Sequence, residues 1–191
     1  MGDDQIKNVY SWAIAVVVPV VCYLEFICEL PRRVIGIQPD VLPAVLTWGW
    51  LVLGPFSITL LAFWAALCFS GISQNPFLVT FLPIAVFGLW IYRQRGVLLI
   101  RNSVTQIVVS GVGAGVVTLG QYILLILSGV KMDVGASLIY QVIVNVVFCA
   151  VMGPIFCVFF QYLGIVLVPR KSGQGSFRPD REIRRGRIFV K

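Results

Sequence analysis

The chain has 191 residues, of which 59% are hydrophobic and 12% charged, with a formal net charge of +7 and a mean hydropathy of +0.93. Soluble domains carry about 25% charged residues, so a water-soluble core is excluded and the bilayer becomes the solvent that sets element lengths. Histidine is absent and the five cysteines (Cys22, Cys28, Cys68, Cys149 and Cys157) sit in apolar runs without a C-x-x-C pair, which argues against a disulfide framework, a metal site and Ser-His catalysis.

The first apolar run, roughly 9–30, follows Asp3 and Asp4 with Lys7 as its one basic flank, and it reads as a first membrane helix rather than a cleavable signal. Pro19 is a kink position within it, and Arg32 and Arg33 end it. Glu25 is the one acidic residue well inside an apolar run. An ionisable group in lipid is a functional candidate by default, and an interfacial ion pair with Arg32 or Arg33 is the plainer alternative.

Pro39-Asp40 opens an apolar stretch that reaches Ile72, broken only by Gly54-Pro55. As one helix it would be about 45 to 50 Å long, against a hydrocarbon core of about 30 Å. It therefore divides into two short spans, roughly 40–53 and 55–72. The turn Ser73-Gln74-Asn75-Pro76 frees the next segment to begin a helix, giving a fourth span over roughly 77–92. Arg93, Arg95 and Arg101 mark a basic loop in which residues 97–100 lie on the membrane surface.

The fifth span, roughly 104–127, carries Gly111-Val112-Gly113-Ala114-Gly115. No strand precedes these glycines and no acidic ribose partner follows, so close helix packing fits them better than nucleotide binding. Gly111, Gly115 and Thr118 would face a neighbouring helix, with Gln121 adding a hydrogen bond. The sixth span, roughly 135–168, needs tilt or a kink at Gly153-Pro154. Along it Ser137, Gln141, Asn145, Cys149, Gly153, Cys157 and Gln161 recur every four residues, a row that drifts about 40° per step and suits an oblique helix crossing. A polar lining for a substrate cavity, led by Gln141 and Asn145, is the functional alternative. Of the tryptophans, Trp12 and Trp90 fall near span ends as interface anchors, while Trp48, Trp50 and Trp64 flank the short spans.

These segments predict an all-α integral membrane protein: a six-transmembrane-helix bundle over 1–171 with short second and third spans, followed by a basic tail over 172–191. Eight of the 15 basic residues follow Pro169. Arg170, Lys171, Arg181, Arg184, Arg185 and Arg187, with Arg93, Arg95 and Arg101, would anchor the cytoplasmic face against anionic lipid, and no nucleic acid is expected as a partner. With both termini inside, twelve basic residues fall in the cytoplasm and three outside. One broken span over 40–72 would give five crossings and a count of thirteen to two, and charge does not choose between them.

The order of these features resembles the bacterial rod-shape-determining protein MreD family. In that family a first helix is followed by a Pro-Asp pair opening a short span, matched by Pro39-Asp40-Val41-Leu42 through Thr47-Trp48. A polar turn with proline then matches Ser73-Gln74-Asn75-Pro76-Phe77-Leu78, and a last helix ending in basic residues matches Pro169-Arg170-Lys171. The resemblance covers roughly 11–171. It implies a scaffold subunit of the inner membrane without catalysis or cofactor, with a cytoplasmic C-terminus. Its partners would be MreC and, through it, MreB filaments and the enzymes of peptidoglycan synthesis. The alternative is a substrate-binding subunit of an energy-coupling-factor vitamin transporter, whose six-helix plan is similar and whose pocket would draw on Gln121, Gln141, Asn145 and Trp48.

Overall fold

A computed structural model of the chain describes residues 3–28, 30–73, 75–96, 102–130 and 135–167. These fold into seven helices: α1 (Asp3–Ile27), α2 (Leu30–Ile35), α3 (Leu42–Val52), α4 (Pro55–Ile72), α5 (Phe77–Gln94), α6 (Ser103–Leu127) and α7 (Ala136–Leu167). Among the described residues, five helices are long and apolar enough to cross a membrane: α1 over Asn8–Ile27, α4, α5, α6, and α7 over Ala136–Val166. The protein is an all-α, multi-pass membrane bundle.

The proline and glycine positions account for the breaks. Pro43 lies in the first turn of α3 and Pro55 opens α4, where the missing N–H costs no helical bond. Leu53 and Gly54 are extended, with ψ of 160° and 166°, so α3 stops at Val52 and a new helix begins at Pro55, after those two residues. Pro19, Pro83 and Pro154 instead lie inside continuous helices. At 32 residues, α7 is about 48 Å long, more than the apolar core of a bilayer requires.

Two boundaries differ from the sequence expectation. The first span ends at Ile27 rather than near residue 30, and Arg32 and Arg33 belong to the separate short helix α2. The expected second span is an eleven-residue helix about 16 Å long, half of what a full crossing needs. Every residue of α3 from Leu42 to Leu51 is buried. A helix hydrophobic all round belongs inside a bundle, and α3 packs against α7, α6, α1 and α5.

The largest fully buried side chain is Trp50, near the end of α3. Its ring meets Phe87 edge-on at 5.1 Å between centroids, and glycines on α5 and α6 make room for it. A Cβ on Gly88 would fall 2.6 Å from the Trp50 ring and 2.8 Å from Ile58, and one on Gly113 would fall 2.9 Å from the Trp50 ring. Gly49 lies equally close to Leu61. Residues 49 and 50 thus neighbour 61 and 58, so α4 doubles back along α3 after the Gly54-Pro55 break.

Candidate functional site

The polar centre of the bundle is the start of α3. The first N–H groups of a helix lack intrahelical acceptors, and inside a membrane no water replaces them. Pro39 has no N–H to satisfy, and it is buried. The residues after it are served by side chains. Asp40, 8% exposed, accepts at Oδ1 from the Leu42 N–H at 2.9 Å. The Asp40 N–H donates to Asn145 Oδ1 on α7 at 3.2 Å. Glu25 on α1 accepts at Oε2 from the Val41 N–H at 3.4 Å. Two acidic side chains therefore meet the N-terminal end of α3, where unpaired backbone N–H groups point.

Asn145 joins three elements. Its Nδ2 donates to Thr118 Oγ1 on α6 at 3.0 Å while its Oδ1 holds Asp40. One turn further along α7, the Cys149 thiol donates to the Asp40 carbonyl at 3.1 Å. Asn145 is the tenth residue of α7, about 14 Å along it, so the network lies within the length of a helix long enough to cross a membrane. Asp40 Oδ2 is buried and has no hydrogen-bond partner among the described residues.

Arg95 closes the other end of α3. Just past the end of α5, it donates from Nε to the Trp50 carbonyl at 3.0 Å and from Nη2 to the carbonyls of Trp50 and Gly49. These are C-terminal carbonyls of α3, the negative end of its dipole. The guanidinium also sits over the Tyr92 ring, 4.8 Å from its centroid. Burial lowers its pKa to about 10, and the neighbouring Tyr92 opposes that shift, so the side chain is cationic at neutral pH. Expected as a lipid-facing anchor, Arg95 instead turns half-buried into the bundle, whereas Arg93 is exposed. Arg101, Arg170, Lys171, Arg181, Arg184, Arg185 and Arg187 lie outside the described residues, as do residues 97–100.

The structure puts Pro39, Asp40, Thr118 and Asn145 in one cluster. Gly111 and Gly115 lie beside it and face α7: a Cβ on Gly111 would be 3.3 Å from Ala150, and one on Gly115 would be 3.1 Å from Val146. Gln141 is elsewhere on α7 and accepts a hydrogen bond from the Tyr122 hydroxyl. Gln121 Nε2 is buried with no partner among the described residues, so the hydrogen bond expected of it is not seen there. In the four-residue row of α7, Asn145, Cys149, Gly153 and Cys157 are buried, while Ser137 at its start is exposed.

Three contributors have partners that no local sequence signal announces. Glu25 reads as a membrane carboxylate, but its link to Val41 spans 16 residues. The Arg95 bonds to Trp50 span 45 residues and the Cys149 bond to Asp40 spans 109. The Trp50 slot required knowing that Gly88 and Gly113 meet the same ring.

Beside the Glu25 end of this network lies a cavity of about 550 Å³. Cys22, Phe26, Ile27, Phe69 and Ile72 form its apolar wall, and Glu25, Arg32, Gln38 and Ser73 its polar one. Gln38 is tied to the end of α1 by donation from Nε2 to the Glu25 backbone carbonyl at 2.6 Å. Among the described residues no group of three or more His, Cys, Asp or Glu side chains is placed to hold a metal ion. No protein-family model, curated protein or solved structure matches this chain.

Proposed function

We propose that this chain is a non-catalytic scaffold subunit of the bacterial cell-elongation machinery, acting in the inner membrane by helix-to-helix binding of an MreC-like subunit and peptidoglycan-synthesis enzymes. One observation carries the reading. Pro39-Asp40, one of the features whose order carries the resemblance to MreD proteins, heads a half-length helix at the heart of the bundle, and Glu25, Asn145 and Thr118 are engaged in holding it there. The polar groups of the core thus serve the fold, which leaves partner binding to the outer helix faces. One such face is the apolar groove of about 400 Å³ between α5 and α6, lined by residues that include Phe87, Trp90, Val108 and Val112.

The reading includes six crossings, with both termini and the residue 93–101 loop in the cytoplasm. The antiparallel neighbours 49 with 61 and 50 with 58 support it, because one broken span would send α3 and α4 in the same direction. The non-helical residues before Leu42 and the half-helix α3 together make the second crossing. Such irregular backbone is tolerated at membrane depth where protein surrounds it.

The test is affinity purification of the full chain in mild detergent, followed by protein identification. Recovery of cell-wall elongation proteins is the expected result. Recovery of paired ATPases with a tightly bound vitamin would replace this reading with the transporter subunit, which the cavity beside Glu25 favours by offering a ligand-sized space with polar groups.

A further inference from the structure

The cavity beside Glu25 combines features that the scaffold reading does not use. It lies where α1 ends at Ile27 and α4 ends at Ile72, next to α2, which is the level at which a bilayer passes from hydrocarbon to headgroups. Its apolar wall opens toward lipid, since Phe26 and Ile27 are 67% and 56% exposed. Its polar wall carries the Glu25 carboxyl group and the Arg32 guanidinium. Ser73 adds a hydroxyl whose oxygen is buried and has no hydrogen-bond partner among the described residues. An unpaired hydroxyl in such a wall is a donor awaiting an acceptor.

We infer that this cavity is a binding site for one phospholipid with a primary-amine, ethanolamine-type headgroup. The lipid phosphate meets Arg32 and Ser73, the ammonium meets Glu25, and an acyl chain runs along Phe26, Ile27, Phe69 and Ile72. The guanidinium suits a phosphate because it offers several N–H donors in a planar fork. The Glu25 carboxyl separates lipid classes, since with a headgroup amine it can form an ion pair, whereas a glycerol headgroup offers it only hydroxyl hydrogen bonds. The volume of about 550 Å³ accommodates a headgroup and the first part of a chain but not a whole lipid, so the rest of the molecule stays in the bilayer.

The test uses the full chain, purified in mild detergent and offered equimolar dioleoyl phosphatidylethanolamine and phosphatidylglycerol, with retained lipid counted by native mass spectrometry. The wild type should retain the amine lipid over the glycerol lipid by about five-fold, the effect of one partly exposed ion pair. Glu25→Gln keeps an acceptor for the Val41 N–H and should bring that ratio near one without reducing total lipid. Arg32→Gln, at an exposed residue whose loss leaves the core intact, should lower retention of both lipids. Equal retention of the two lipids by the wild type, or an unchanged ratio in Glu25→Gln, overturns the proposal. If Glu25→Gln fails to fold, Ile27→Trp replaces it, because filling the cavity from an exposed wall position should also abolish the preference. The outcome is independent of which proteins co-purify.

Discussion

Arg95 donates from Nε to the Trp50 carbonyl oxygen at 3.0 Å, and so one cation closes the end of a helix that begins against two acidic side chains, Glu25 and Asp40. An isolated helix of eleven residues is marginal even with strong formers, and α3 contains Thr47, Trp48, Gly49 and Trp50. Burial and the charged groups at its ends therefore hold it helical. The substitution Arg95→Gln should destabilise the bundle by about 1 to 3 kcal/mol, the usual effect of leaving a buried acceptor unpaired, here the Trp50 carbonyl, since Gly49 keeps the Leu53 N–H. Arg95→Lys should fall between that variant and the wild type, since it keeps the charge but loses the planar fork. Thermal unfolding in detergent, followed by tryptophan fluorescence, reads both. No change in Arg95→Gln would remove this side chain from the account.

The Trp50 slot admits no added methyl group. Gly113→Ala puts a Cβ 2.8 Å from Phe87 and 2.9 Å from Trp50, and Gly88→Ala puts one 2.6 Å from the Trp50 ring. Each should cost about 1 to 3 kcal/mol through overpacking. Gly71, which a Cβ would leave with nothing within 4 Å, is the control: Gly71→Ala should be neutral or stabilising by up to about 1 kcal/mol. Equal melting temperatures for the Gly71 and Gly113 variants would contradict the packing described.

Asn145 and Thr118 act through a shared bond, so their substitutions should not add. Thr118→Val removes one donor–acceptor pair, about 1 kcal/mol. Asn145→Leu also strips the acceptor from the buried Asp40 N–H, and about 2 to 3 kcal/mol is expected. The double variant should be less destabilised than the sum by about 0.5 kcal/mol or more. A strictly additive cycle would mean that the 3.0 Å contact contributes nothing.

Cysteine reactivity offers a direct reading of burial. Cys28 is exposed and Cys22, Cys149 and Cys157 are buried, so a membrane-impermeant maleimide should modify Cys28 in the folded protein and the other three only after denaturation. Applied to intact cells, the same reagent should reach Cys28 from outside under six crossings. Labelling of Cys28 only after lysis would favour the five-crossing arrangement, in which the loop after α1 is cytoplasmic.

The long helices were legible in the sequence because apolar length is a local property. The break at Gly54-Pro55 was legible for the same reason, since two adjacent residues that resist helix continuation announce it. The half-length of α3 was not. Asp40 and Val41 pass for the start of a span, and what excludes them from the helix is a set of bonds to Asn145 and Glu25 that no local window contains. Arg95 shows the same limit from the other side. Its neighbours Arg93 and Gly96 are exposed, and only the distant Trp50 carbonyl distinguishes it from an ordinary loop arginine. Gly111 and Gly115 carried a recognisable spacing, whereas Gly88 stands alone in α5 and acquires meaning only through Trp50.

The bond from Asp40 to Asn145 joins residues 105 apart, and that separation bears on how the chain is made. When residues 36–54 leave the ribosome, the side chain that will accept the Asp40 N–H has not yet been synthesised. The polar head of that stretch has no partner on α7 until translation is nearly complete. The α3 segment is therefore expected to be the last to settle, waiting near the membrane surface or beside the translocon until α7 arrives. A chain stopped before Leu138 should leave position 40 open to water-soluble reagents through an introduced cysteine, and one extended past Leu167 should not.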